Sequence, residues 1–329
     1  MVPVLALVLA ASPELALLSS SGDIGELRFQ PLSAAPLTGP VVRFTHAEGS
    51  PVLGSVIPGT KVVVASAVMQ AQGDVSFGSA LLRLEAGKPA RVLADGLVYG
   101  SRPLVTTEGR VFVSRGVAGA IDDPQLGRVD ALTIDELDPV TARVRTVYSA
   151  RGFWLFLAGH LGREVILYES KPEGARLLAV HADTLGVRVL DATFKPMAHD
   201  FVVDAPRKRV LFTQRGDSSW EVHETSLVDG RTKVLASGPE VTLLPVVRAD
   251  GRVMISRGEG KGHAALDGSA GVEANGTGFE RFVFERAGWL VVLHERPSDF
   301  PLLVVQRGAE KVNVAVPPES RLDVAGVLP

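Results

Sequence analysis

No cysteine occurs anywhere in this chain. Disulfides, thiolate metal centres, cysteine nucleophiles and a lipid-bearing cysteine are therefore excluded, and burial and strand hydrogen bonds must hold the fold. Charge of one sign is lacking too. The formal net charge is −3 and no Lys/Arg-rich block occurs, which argues against a nucleic-acid partner and its basic face. Beyond residues 1–12, no segment approaches the roughly 20 apolar residues of a membrane span. No window keeps a helical apolar period over three turns. A Gly-x-Ser-x-Gly elbow, a phosphate loop, a dinucleotide fingerprint and a His-Glu-x-x-His motif are all missing, so the sites built on them are not expected, nor is any cofactor. Hydrophobic residues at 46% against 22% charged leave enough apolar surface for a large core and argue against disorder.

What is present is a self-match. Residues 102–116, RPLVTTEGRVFVSRG, align without a gap on residues 244–258, LPVVRADGRVMISRG. Pro103 meets Pro245, Gly109 meets Gly251, Arg110 meets Arg252, Ser114 meets Ser256, and Arg115-Gly116 meets Arg257-Gly258. Self-similarity of this kind marks a repeat architecture. Relatives of the strand that opens at Arg110 open at Glu14, Lys61, Arg163, Arg209, Arg252 and Trp289. Their spacing runs from 37 residues (252 to 289) to 53 residues (110 to 163), near the roughly 40–50 of propeller blades.

Each unit has one internal order. A first β-run, such as Pro103–Thr107, Phe201–Asp204 or Pro245–Arg248, leads into a tight turn. Glycine there supplies the positive φ that a short hairpin requires. The anchor strand follows, rich in Val, Ile and Phe. A third strand comes next, as at Leu81–Glu85, Asp130–Asp135, Ala175–His181, Trp220–Thr225 and Pro301–Gln306. A short fourth closes the unit, as at Ala90–Leu93, Ala142–Val147, Arg231–Leu235 and Lys311–Val316. The expectation is an all-β fold: a seven-bladed β-propeller of four-stranded antiparallel blades, one domain over residues 13–329. Six or eight blades stay open, because Lys261–Gly278 in the sixth unit is rich in Gly, Ala and Asn.

The chain ends bear on closure. Residues 1–12, MVPVLALVLAAS, read as a short secretory signal cleaved near Ala10 or Ala11, although no Lys or Arg precedes the apolar run. The alternative is that residues 2–9 form a first strand. With a signal removed, the unit at Glu14 lacks its first strand, and the tail 321–328 can pair into that blade as its inner strand, removing exposed edges.

The segments Thr107-Glu-Gly-Arg-Val-Phe-Val-Ser and Ala249-Asp-Gly-Arg-Val-Met-Ile-Ser resemble the repeat of TolB-like, WD40-like propellers. That repeat runs Pro, two or three residues, Ser-Pro-Asp-Gly-Lys, then an apolar strand. Pro103 and Pro245 match its proline, and Gly109, Arg110, Asp250, Gly251 and Arg252 match its turn; the Ser-Pro pair is absent from both copies. The resemblance covers all the units loosely and two closely. It implies a propeller, commonly a periplasmic binding module or the non-catalytic half of a larger enzyme. It is nearly silent on chemistry, so function must rest on a site.

In a propeller, loops entering the inner strands share one face with loops joining second to third strands. Tyr99, Arg102, Arg151, His199, Asp200 and Glu240 fall on the first kind and are the candidate binding residues. Gln72, Asp74, Asp122, Asp123, Lys261 and His263 fall on the second. Long loops on the rim of a rigid scaffold are where binding concentrates. Asp122-Asp123-Pro124 lies in a loop read as residues 115–128, and with Asp130 nearby it offers oxygen ligands for a cation such as calcium. The acidic residues do not alternate as calcium loops require, and Asp-Asp-Pro also starts turns. His199-Asp200 pairs a general base with an orienting acid, but neighbours on a strand point to opposite faces, so direct contact is not expected. None of the seven histidines has a second within four residues, so a histidine metal site requires convergence of several units. Trp154, Trp220 and Trp289 are assigned to packing between blades.

These readings converge on a monomeric, non-enzymatic, exported propeller, periplasmic or secreted, that binds a protein or small ligand on its loop-rich face. Two alternatives stand beside it. One is a propeller-type lyase or hydrolase with its site at the central channel mouth. The other is a cytoplasmic scaffold, favoured if residues 2–9 pair as a strand.

Overall fold

A computed structural model describes residues 13–31, 41–69, 76–124, 126–152, 154–171, 174–194, 198–238, 245–256, 263–266, 279–286, 289–295, 302–307, 310–315 and 321–328. Strands dominate them. β1 (Glu14–Ser21), β2 (Ile24–Pro31) and β3 (Val41–Thr45) form a meander. β4 (Val52–Val56), β5 (Val62–Val68), β6 (Ser79–Glu85) and β7 (Arg91–Leu97) form the next. β8 (Leu104–Val105), β9 (Val111–Asp123), β10 (Gly127–Leu137) and β11 (Val144–Arg151) follow. A single residue pair, Leu97 with Arg115, joins these last two meanders into one eight-stranded sheet.

β12 (Trp154–Leu161), β13 (Glu164–Lys171), β14 (Gly174–His181) and β15 (Val187–Phe194) make a four-stranded sheet. So do β16 (Ala198–Asp204), β17 (Arg209–Arg215), β18 (Trp220–Ser226) and β19 (Thr232–Gly238). β20 (Val246–Val247), β21 (Val253–Ser256) and β22 (His263–Ala265) make a three-stranded one. β23 (Phe279–Arg286), β24 (Trp289–Glu295), β25 (Leu302–Arg307) and β26 (Glu310–Ala315) complete the series. β27 (Arg321–Leu328) then pairs antiparallel with β1, giving the sheet order β27-β1-β2-β3. The architecture is all-β and propeller-like. Among the described residues, no helix is long and apolar enough to cross a membrane.

The sequence anchors at 14, 61, 110, 163, 209, 252 and 289 each lie at, or one residue before, the start of β1, β5, β9, β13, β17, β21 and β24. The two closely matching turns fold alike. Gly109 and Gly251 have φ of 80° and 92°, a region that costs glycine little. Thr106 N–H donates to the Arg110 carbonyl and Arg248 N–H to the Arg252 carbonyl, both at 2.9 Å.

The anchor strands are apolar on both faces, and period two explains why. Leu15 and Leu17 of β1 pack with Val291 and Leu293 of β24. Ala16 and Leu18, on the other face, pack with Val63 and Ala65 of β5. Val165 and Leu167 of β13 meet Phe112 and Ile134 on one side, whereas Ile166 and Tyr168 meet Val210 and Phe212 on the other. Val64 packs with Val111 and Val113, and Leu290 and Val292 with Val246. Successive side chains on a strand point to opposite faces, so each such strand serves two neighbouring sheets. Full burial contributes about 1.5–3 kcal/mol per Val, Leu or Ile side chain.

Arginines answer the buried carboxylates. Asp135 pairs with Arg115 at 3.0 Å, Asp204 with Arg209 at 2.8 Å, and Glu169 with Arg176. Asp323 on β27 accepts from Gly54 N–H at 3.0 Å and from both terminal nitrogens of Arg102. Arg102 also donates to the Gly54 carbonyl. One buried carboxylate thus ties the last strand to β4 and to the segment leading into β8.

Two sequence expectations need correction. Residues 115–128 are not a loop: β9 runs to Asp123, β10 starts at Gly127, and the two pair nearly to the tip, Gly127 with Asp123. Val117, Ile121 and Val129 supply the β-branched residues that sustain a hairpin, which the intervening Gly and Ala mask in the sequence. Trp154 is not core. It opens β12 at the rim and is 54% exposed, its ring stacked on Phe156 two positions along the strand.

Removing the Asp323 carboxylate leaves the Arg102 guanidinium and the Gly54 N–H unanswered. Asp323→Ala is therefore expected to lower the unfolding free energy by about 2–3 kcal/mol, measured by urea denaturation. A loss within the error of that measurement would show that the contact contributes nothing to stability.

Candidate functional site

A cavity of about 300 Å³ opens where β12 starts and is lined by Phe77, Val98, Tyr99, Asp130, Leu132, Trp154 and Leu155. Its parts come from the loop before β6, the loop after β7, strand β10 and the head of β12. Hydrogen bonds hold the loops. Val98 N–H donates to the Ser114 carbonyl at 3.0 Å and Tyr99 N–H to the Ser76 carbonyl at 2.8 Å. The Ser114 hydroxyl donates to the Leu155 carbonyl at 2.5 Å. Phe77 lies against Gly116, where an added Cβ would overlap its ring. That is the packing reason for the glycine that ends the Arg115-Gly116 repeat element.

Tyr99 and Trp154 are 42% and 54% exposed. The indole of Trp154 stacks on Phe156 at 5.8 Å and 11°. Phe156 continues to Tyr168 at 6.4 Å, Tyr168 to Phe201 at 5.2 Å, and Phe201 to Phe212 at 5.5 Å. This ladder of rings backs the indole from one side. The half-buried Asp130 accepts from Gly119 N–H at 2.8 Å. Among the described residues, no lysine or arginine pairs with it.

The candidate binding residues distribute unevenly. Tyr99 lies in the aromatic cavity. Arg102 is taken up by Asp323 and the Gly54 carbonyl. Arg151 ends β11 and pairs with Asp123 at 3.4 Å. Asp123 also accepts from Leu126 N–H at 3.1 Å, and Asp122 faces Arg128 at 3.8 Å. Asp122 and Asp123 thus sit at a hairpin tip, held by arginines and a turn amide. Among the described residues, no three His, Asp or Glu side chains converge as a metal site. Glu240, Gln72, Asp74 and Lys261 lie outside the described residues, and His263 opens β22.

His199 and Asp200 touch, against the sequence expectation. Nδ1 of His199 lies 2.6 Å from Oδ2 of Asp200. Pairing with β17 slips between His199 and Val202, and Asp200 takes a left-handed φ of 55°. That backbone turn breaks the alternation of an extended strand and brings the two side chains together. The Trp220 ring stands 5.1 Å from the imidazole.

Sequence reasoning missed Phe77 and Trp154, and noted Asp130 only as a neighbour of Asp122. Gly116 in the repeat was the one available signal for Phe77. Trp154 carried none, because an aromatic opening a strand reads alike at a rim and in a core.

A second cavity of about 360 Å³ is lined by Glu108, Arg110, His160, Arg163 and Asp183, among others. Its charges answer one another. Arg110 pairs with Glu136 at 2.6 Å and with Asp183 at 3.0 Å, and Arg163 with Asp183 at 2.9 Å. Burial pushes the Glu136 carboxyl up, but Arg110 and Arg145 outweigh it and hold the group below its ordinary value.

The chain has a β-propeller fold, similar to that of TolB and other solved propellers. Solved structures of similar fold include TolB from Acinetobacter baumannii, at TM-score 0.50 and 10% identity over 94% of this chain and 66% of that one. A chain of a nidogen/laminin complex matches at TM-score 0.51 and 12% identity over 96% and 97%. Puromycin hydrolase matches at TM-score 0.57 and 14% identity over 94% and 54%. This chain therefore spans just under two thirds of the TolB chain and about half of the hydrolase. At these identities the likeness is one of fold. No family model and no curated protein matches the chain.

A carboxyl depressed in the folded state contributes stability that is present above its unfolded pKa and lost as pH falls through the folded value. Glu136 and Glu224 are both depressed, burial opposing and their basic partners prevailing. Stability is therefore expected to hold steady down to the ordinary glutamate pKa of about 4.3 and to fall below it. Melting temperatures at stepped pH test this, and Glu136→Gln should flatten the acid limb.

Proposed function

We propose that this chain is a seven-bladed, non-enzymatic binding propeller, exported to the periplasm or secreted and monomeric, that holds a protein or small ligand on its loop-rich face. The count of seven takes β4–β7 and β8–β11 as separate blades and β20–β22 as a blade with three described strands. In this reading β27 is the inner strand of the first blade, and residues 1–12 are a signal. The observation that carries the binding function is Trp154, more than half exposed beside a cavity it shares with Tyr99 and Phe77. Exposed aromatics at a concave site are the residues that dominate binding energies. The walls are mostly aromatic and aliphatic, with one carboxylate and Ser76, which suits holding a ligand rather than making or breaking a bond.

Capture from an envelope extract tests the reading. The immobilised wild type is expected to retain a ligand that Trp154→Ala retains at least tenfold less, the size of an anchor aromatic's contribution. Trp220→Phe, on the same chain but away from the cavity, should retain it undiminished. Equal retention by Trp154→Ala would overturn the assignment of the cavity, and residence of the full-length chain in the cytoplasm would overturn export.

The His199–Asp200 contact at 2.6 Å favours a second reading, a propeller-type lyase or hydrolase with His199 as general base near the channel mouth. That reading expects turnover of some member of a panel of peptides and oligosaccharides, abolished in His199→Ala and kept in Trp154→Ala. No turnover by the wild type on such a panel would count against it.

A further inference from the structure

We infer that the cavity beside Trp154 is a socket for one basic side chain, lysine or arginine, presented by a partner polypeptide; the inference rests on the binding-face reading above. Four observations converge on it. First, the walls are aromatic: Trp154, Tyr99 and Phe77 line the space together. The face of an aromatic ring carries negative charge density and attracts cations, tryptophan most strongly. Phe156 covers one face of the Trp154 indole, so the exposure of this side chain belongs to the opposite face and the edges.

Second, Asp130 lines the same cavity, and it accepts a hydrogen bond from a backbone amide, not from a cation. By contrast Asp135, Asp204, Glu136, Glu169 and Asp323 each have an arginine, and Asp200 has His199. Asp130 is placed to receive its cation from outside. Third, the nearby arginines are occupied: Arg115 by Asp135 at 3.0 Å, Arg151 by Asp123 at 3.4 Å and the exposed Arg128 by Asp122 at 3.8 Å. Their charge is answered locally, so repulsion of an incoming cation is reduced.

Fourth, the size fits. About 300 Å³ lies at the bottom of the range for small-molecule sites, and it suits one long side chain better than a whole cofactor. A polypeptide rather than a free amine is indicated by the β9–β10 hairpin, which shows Val117 and Leu126 at 63% and 51% exposure. Those side chains offer a partner apolar contact outside the cavity.

Selection of random peptides on the immobilised full chain, with Trp154→Ala as counter-selection, tests the inference. The binders are expected to share a lysine or arginine. Replacing it by acetyl-lysine or citrulline, which keep the length and remove the charge, should weaken binding about tenfold, the scale of a desolvated cation over an aromatic face. Asp130→Asn keeps an acceptor for Gly119 N–H, so its fold should survive, as a thermal melt will verify. It should weaken the charged peptides by a similar factor and leave the neutral analogues unchanged. Trp154-dependent binders that share an apolar or acidic anchor, or that ignore charge removal, would overturn the socket and leave the binding face standing. A selection that yields no Trp154-dependent binder would overturn both.

Discussion

The structure depends on sheets that are apolar on both faces and stacked in sequence order. An antiparallel sheet commonly buries one face and wets the other. Here the second strand of a unit sends Leu15 and Leu17 one way and Ala16 and Leu18 the other, into different neighbours. A sheet built so has no satisfactory end position, because an outer face of Val and Leu would meet water. The series escapes this by packing β24 and β25 against β1. Without cysteine, and with its buried carboxylates held by arginines, the chain relies on that mutual covering for most of its stability.

The same constraint shapes the candidate site. Side chains at a rim gain a fixed geometry only if the scaffold beneath them is rigid. The ladder from Trp154 through Phe156, Tyr168 and Phe201 to Phe212 crosses from one sheet to the next. It anchors an exposed indole to a fully buried tyrosine. Asp200 shows the opposite case. A left-handed backbone at a residue other than glycine costs of order 1 kcal/mol or more, and here it coincides with a slipped register and a short contact to His199. Strain at a rim, held by a sheet that does not yield, is a recurring property of sites that act on something.

The fold was legible because its signals are local and repeated. The Gly109 and Gly251 turns, the Val-rich anchors and their spacing each survive in a single sequence, and the strands start within a residue of the anchors. The extension of the β9–β10 hairpin through residues 115–128 was not legible, since Gly116, Gly119 and the alanines between look like loop composition while strand pairing overrides propensity. The candidate site was legible only in part. Loop position picked out Tyr99, which lines the cavity, but position does not tell which polar group is already occupied. Arg102 looks as available as Arg151 in the sequence; its partner Asp323 lies 221 residues away. The cavity is made by Phe77, Asp130 and Trp154 from three different units, and no linear pattern records that meeting.

The pairing of β27 with β1 also sets a timetable. A ribosome delivers Glu14–Ser21 before the other sheets and Arg321–Leu328 after them, so the first sheet waits for the whole series before β27 arrives to pair with β1. Contacts so far apart in sequence are slow to form. Until then Leu15 and Leu17 lack their Val327 and Val324 neighbours, and β1 shows an unpaired edge. A nascent chain in this condition is a substrate for chaperones and a hazard for aggregation, and it reaches its protected state only once Arg321–Leu328 has emerged and paired.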